Sequence, residues 1–200
     1  MFSSRQSYEV KLDGLSISTI FTNQLDIVDE YISRFMRSSS YTNKITVFGF
    51  DTEWLVHNPD TTSSKCAAIH LCYERECLII KLSSFYGVPD SLVKFLRHPN
   101  YTFVGFGIKD NVAKLEKNYG FGCRNAVELG PLAATVLKRP RLSYCGVDKL
   151  LFVVNQVDLR RDMFHWSSFD NSQEHARNAA INVYSYHLIG TKLLAQDWEE

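Results

Sequence analysis

The chain has 200 residues, 45% of them hydrophobic and 13% aromatic, enough to bury one sizeable core and too apolar for a disordered chain. Lysine plus arginine number 22 and aspartate plus glutamate 22, so net charge carries no polyanion signal and any nucleic-acid contact has to come from local patches. No segment approaches about 18 consecutive apolar residues and the first seven lack an apolar h-region, so a soluble, unexported protein without membrane contact is expected.

Tyr8 to Leu12 and Ser16 to Thr22 alternate around Asp13-Gly14, a dipeptide suited to positive φ, and read as a hairpin. Leu25, Ile27, Val28, Tyr31, Ile32 and Phe35 recur at helical spacing to about Arg37. A polar loop over 38–43 leads into an apolar strand, Val47 to Trp54, and a Pro- and Ser-containing loop follows. Cys66 to Tyr73 and Cys77 to Leu82, separated by Glu74-Arg75-Glu76, read as antiparallel strands that complete a meander of three. From Pro89 the pattern alternates: a helix over 90–97, a strand over 102–107, a helix over 111–119 and a short strand over 127–129. Pro131 opens a helix to about Lys138, and helices over 147–154 and 173–194 follow. The expected organisation is an N-terminal hairpin and helix over 1–44, then one α/β domain over 45–200 whose mixed five-stranded sheet is covered by helices.

The central strand carries the chemistry. Asp51 and Glu53 sit one residue apart where Val47-Phe48-Gly49-Phe50 ends, so both project to the same face, with Thr52 on the other. Two adjacent carboxylates raise one another's pKa unless a cation separates them, and a divalent metal is the usual remedy. Taken alone, the pair also fits two solvated acids at a strand end.

Phe50-Asp51-Thr52-Glu53-Trp54, Gly105-Phe106-Gly107-Ile108, Trp166-Ser167 and Ala179-Ala180, in that order, resemble the DnaQ-like 3′–5′ exonucleases of the Werner syndrome type over roughly residues 45 to 195. The resemblance implies a ribonuclease-H-like fold, two metal ions (Mg2+ or Mn2+) held by four acids, a tyrosine that orients the attacking water, and DNA or RNA 3′ ends as partners. The first motif is intact as Asp51 and Glu53, the implied catalytic and metal-binding acids. In the second, Gly105 to Leu115 follows the family's G-x-G-I-x-x-D-x-x-K-L, but Asn111 stands at the aspartate position. In the third, Asn178 stands at the tyrosine and Asn182 at the last aspartate. Asp110 lies one position from the second-motif site, a step of about 100° on a helix. His175 does not match the family's histidine variant, whose position is Arg177 here, and Tyr186 lies one turn beyond Asn182 where the family's tyrosine lies one turn before.

Charge decides what these amides imply. Two divalent cations about 4 Å apart repel by roughly 17 kcal/mol at an effective dielectric near 20. Four carboxylates offset that with about four negative charges, Asp51 and Glu53 with about two. The expectation is a single ion held weakly by Asp51 and Glu53, a second only where nucleic acid supplies oxygens, and Asn111 and Asn182 as degraded ligands. A large loss of phosphodiester hydrolysis follows. The competing reading is a non-catalytic module that retains the fold, either a nucleic-acid end binder or an oligomeric scaffold.

Other features carry less. Gly105-x-Gly107 lacks the third glycine of a dinucleotide loop, and the six histidines show no zinc spacing. Five cysteines without a C-x-x-C pair argue against a disulfide framework and for a reducing compartment, nucleus or cytoplasm. Lys138-Arg139-Pro140-Arg141 and Arg160-Arg161 are basic clusters that suit phosphates or plain solvent. Trp54 and Phe106 are candidates for stacking on terminal bases, with core packing the alternative. Val183, Tyr184, Tyr186, Leu188, Ile189 and Leu193 are too many for one apolar stripe, which makes a homo-oligomer an open expectation.

Overall fold

A computed structural model describes residues 5–12, 14–39, 45–55, 65–159 and 171–195, with side chains from 173 in the last segment. The strands are β1 (Arg5–Leu12), β2 (Leu15–Thr22), β3 (Thr46–Leu55), β4 (Lys65–Tyr73), β5 (Glu76–Ile80), β6 (Tyr101–Gly105) and β7 (Ala126–Glu128). The helices are α1 (Leu25–Ser39), α2 (Asp90–Leu96), α3 (Ile108–Tyr119), α4 (Leu129–Val136), α5 (Val147–Asn155) and α6 (Asn171–Leu194). All seven strands form one mixed sheet in the order β1-β2-β5-β4-β3-β6-β7. The five expected strands are its larger part, and the N-terminal hairpin extends it, β2 running parallel to β5 with Ser18 opposite Glu76. Residues 40–44 and 56–64, Asp13, Arg160-Arg161 and Trp166-Ser167 lie outside the described residues. Among the described residues no helix is long and apolar enough to cross a membrane.

β3 lies inside the sheet between β4 and β6, and both of its faces are apolar. Phe48 and Phe50 point toward α1, α2 and α3 and pack with Phe35, Phe95 and Phe103, where ring pairs such as Phe48–Phe95 at 4.8 Å each add about 0.5–1.5 kcal/mol beyond area burial. Val47 points the other way, into a second core shared with α4, α5 and α6. Gly49 lies between them in the alternation, and α6 crosses there so closely that a Cβ would sit 1.8 Å from the Val183 carbonyl oxygen. His187 fastens the crossing: its Nδ1 lies 3.0 Å from the Val47 carbonyl oxygen, and its Nε2 accepts the Glu74 amide at 3.0 Å.

Several boundaries differ from the sequence expectation. β6 ends at Gly105 rather than Gly107, because Gly107 takes φ 61° and turns the chain. α3 starts at Ile108, three residues early, because Glu128 accepts the Gly107 amide at 2.6 Å and the Ile108 amide at 3.1 Å and so caps the helix from a neighbouring strand. α4 starts before Pro131, which stays in its first turn. α1 runs on to Ser39, whose hydroxyl donates to the Met36 carbonyl oxygen. The apolar surplus on α6 has an intramolecular explanation, since the helix lies between the sheet and α4 and α5 and buries Val183, Tyr184, Tyr186, Ile189 and Leu193. The argument for a second subunit therefore loses its support.

Candidate active site

The alternation that points Val47 and Gly49 at α6 carries Asp51 and Glu53 to the same side, at the end of β3 where the first turn of α3 and the middle of α6 converge. The β-bulge in the β3–β4 pairing comes only after Glu53, so the two acids stay in phase.

Asp51 is surrounded by donors. Its Oδ1 accepts the Thr52 amide at 2.8 Å and faces the Asn111 Nδ2 at 3.4 Å. Burial pushes the Asp51 carboxyl up to about 6; the Thr52 amide and the Tyr186 hydroxyl oppose that rise, and the Glu53 charge adds to it. Mutual repulsion of the acids is thus a smaller cause than desolvation. Burial and the Asp51 charge in turn push the Tyr186 phenol well above its ordinary value, so it stands as a protonated donor.

Glu53 meets imidazoles. His175 Nε2 lies 2.9 Å from Glu53 Oε2, and His70 Nε2 lies 3.9 Å from the same oxygen. His70 is buried on β4, directly opposite Asp51 in the β3–β4 register, and neither of its ring nitrogens has a hydrogen-bond partner. Burial pulls its pKa down to about 4, Glu53 opposing, so the ring is neutral.

The helix settles the choice between Asp110 and Asn111. Both lie in regular α3 geometry, and Asn111 reaches Asp51 while Asp110 is exposed. On α6, Asn178 is exposed and Asn182 half-buried, and Tyr186, one turn further, is buried. Trp54 is half-buried, donates from Nε1 to Thr52 Oγ1 at 2.9 Å, and carries Lys114 Nζ 5.7 Å from its ring centroid. Phe106 packs on Tyr186 with ring centroids 5.3 Å apart. Lys138, Arg139 and Arg141 are exposed beyond the end of α4, roughly 12 Å along that helix from its start beside Glu128.

As arranged, these side chains do not fit a two-ion centre. Asp51 Oδ1 is engaged by the Thr52 and Asn111 amides, and no three His, Cys, Asp or Glu side chains among the described residues converge to hold an ion. Sequence reasoning set aside Tyr186 and His175 and had no reason to choose His70 or Glu128. Strand register brings His70, and the α6 crossing His175, to the Glu53 carboxylate.

Residues 23–182 match the family model described as 3′–5′ exonuclease. The protein RISC-interacting clearing 3′–5′ exoribonuclease 1 of Arabidopsis thaliana is 25% identical over 173 residues, covering 83% of this chain and 86% of that protein. The bifunctional 3′–5′ exonuclease/ATP-dependent helicase WRN of Mus musculus is 28% identical over 152 residues, 74% of this chain but 11% of that protein. Among solved structures, Escherichia coli RNase D superposes with a TM-score of 0.65 at 17% identity, over 86% of this chain and 43% of that one. The catalytic core of Trypanosoma brucei RRP6 gives 0.62 at 15%, over 88% and 46%. These two likenesses show the ribonuclease-H-like exonuclease fold.

Proposed function

Because the chain belongs to the 3′–5′ exonuclease family, we propose that it acts on or binds nucleic-acid 3′ ends, with metal-dependent phosphodiester hydrolysis weak or lost. The observation that carries this reading is the amide of Asn111 facing Asp51 at 3.4 Å where an acid would complete an ion's cradle. The cofactor is Mg2+ or Mn2+, a single ion held weakly through Asp51 and Glu53 once their protein donors give way. The exposed Asn178 has an amide to offer a water but no phenol, and Asn182 brings no charge. The substrate class is RNA or DNA; the Arabidopsis relative, an exoribonuclease by name, makes RNA the first substrate to test.

The test is digestion of 5′-labelled RNA and DNA in Mg2+ or Mn2+ by three proteins: the wild type, Asp51→Ala, and the combined Asn111→Asp, Asn178→Tyr, Asn182→Asp variant. Cutting by the combined variant alone is the expected result. Shortening from the 3′ end by the wild type at a rate comparable to that variant, and abolished by Asp51→Ala, would overturn the loss of hydrolysis. The exposed run Lys138, Arg139 and Arg141 favours a second reading, an end binder without turnover. Its signature is oligonucleotide binding that weakens steeply with salt while the label stays intact.

A further inference from the structure

β4 turns into β5 through Glu74-Arg75, with Glu74 at φ 52°. The register of that hairpin sets Cys72 directly opposite Cys77. Residues opposed in this way on antiparallel strands share a face, and their Cα atoms lie about 4.5–5.5 Å apart, inside the range of about 4.4–6.8 Å that a disulfide spans. The Cys77 thiol donates to the Cys72 sulfur at 2.8 Å. A disulfide bond measures about 2.05 Å, so closing one brings the sulfurs together by less than about 1 Å and leaves the strand register as it is.

Other cysteines are placed differently: the Cys66 and Cys145 thiols donate to backbone carbonyls, of Ala68 at 3.2 Å and of Arg141 at 3.6 Å. The Cys72–Cys77 pair lies on the face of the sheet that α6 covers. Cys77 Sγ is 3.8 Å from the Ala180 carbonyl oxygen, and Cys72 stands opposite Gly49 in the β3–β4 register. Burial fixes when chemistry can occur there. A tripeptide disulfide cannot reach residues with 0% exposure, and burial pushes the Cys72 thiol well above its ordinary value. Exchange therefore takes place while the hairpin is open, and the fold decides whether the bond is kept.

We propose that Cys72 and Cys77 are a redox site, a cross-strand dithiol that closes reversibly to a disulfide with a small disulfide of the glutathione class as oxidant. The thiolate of one cysteine attacks a sulfur of glutathione disulfide, whose S–S bond breaks and releases a glutathione thiolate that takes up a proton. The thiolate of the other cysteine then attacks the protein sulfur of the mixed disulfide and releases the second glutathione. Two protein thiols are oxidised and one disulfide is reduced to two thiols. The fold favours the closed form because it already holds the sulfurs in contact, whereas the open chain loses loop-closure entropy to bring them there. The site needs neither an ion nor nucleic acid at Asp51 and Glu53, so it stands or falls apart from the exonuclease reading.

The experiment takes the full chain, reduced in one series and oxidised in another, through unfolding in urea and refolding into glutathione buffers of graded reduced-to-oxidised ratio. A parallel series stays in urea, and free thiols are trapped with N-ethylmaleimide. Trypsin cuts after Arg75, between the two cysteines, so the bond is read by mass spectrometry as peptide 66–75 joined to peptide 76–81 with the maleimide on Cys66. The expected result is that joined species, with an equilibrium constant against glutathione at least about tenfold higher in the refolded protein than in urea. A bond between other cysteines, glutathione adducts alone, no bond at any ratio, or a pair as easily reduced in the fold as in urea would overturn the proposal.

Discussion

Asn111 Nδ2 lies 3.4 Å from Asp51 Oδ1, so the first turn of α3 and the end of β3 meet through an amide and a carboxylate rather than through two acids. The contact gives the amide a purpose in the cation-free protein. Asp51 is already largely desolvated, with its pKa raised to about 6, and a second negative charge at that distance would repel it.

Asn111→Asp is therefore expected to destabilise the protein without divalent cations. Two charges at this separation repel by about 5 kcal/mol at an effective dielectric of 20. Asn111 is half-buried, and solvent screening reduces the observable loss to about 1–2 kcal/mol. Thermal melts in EDTA and in millimolar Mn2+ check it: the variant should melt below wild type in EDTA and regain most of the difference in Mn2+. A variant that matches wild type in EDTA would show that the two side chains do not face each other.

The parts of the site that sequence could reach are those encoded locally. Asp51 and Glu53 share a face because a strand alternates, and Asn111 occupies its place because it lies four residues after Gly107, where the chain turns into α3. A mixed sheet made of a meander and β-α-β units was legible from the pattern of elements, and the order of its strands and the hairpin's pairing with β5 were not, since a parallel partner can be any strand edge. His70 faces the acids only because β4 pairs with β3 in the register that sets it opposite Asp51, and a one-residue slip would have turned it to the other face. Tyr186 was judged by its direction along α6, one turn past Asn182. Its reach to Asp51 depends on how near α6 lies to β3, and the local sign of that closeness is a glycine at 49.

His187 should make stability depend on pH. Burial pulls its pKa from the ordinary 6.5 to about 4, with the Val47 carbonyl opposing. A histidine whose folded pKa is depressed contributes stability that is fully present above about 6.5 and lost as pH falls toward the folded value near 4, because the unfolded chain takes up the proton first. His187→Gln keeps a donor and an acceptor but has no proton to gain. The stability gap between wild type and His187→Gln should shrink by about 2 kcal/mol between pH 7 and pH 4.5, read from urea unfolding at each pH. Asp51, raised to about 6, acts in the opposite sense and loses stability as pH rises through that value, but it is common to both proteins and cancels in the difference. A gap independent of pH would mean that the ring titrates alike in the folded and unfolded protein, and so is solvated in the fold.

Gly49 is where fold and site depend on each other most directly. The Cβ of an alanine would lie 1.8 Å from the Val183 carbonyl oxygen and 3.1 Å from the His187 amide nitrogen, both backbone atoms of α6 that no rotamer change can move. Relief requires the whole helix to lift from β3. That would stretch the His187 bond to Val47 and carry His175 away from Glu53 at the same time. Gly49→Ala is expected to cost at least about 3 kcal/mol, the upper end of what overpacking a core costs, because the clash is with backbone. Gly87→Ala, with nothing within 4 Å of the added Cβ, is the control and should stay within about 0.5 kcal/mol of wild type. Denaturant unfolding of both variants decides it, and a Gly49→Ala protein as stable as Gly87→Ala would mean that α6 does not lie on β3 at this distance. The geometry of the site would then have to be rebuilt from the helix outward.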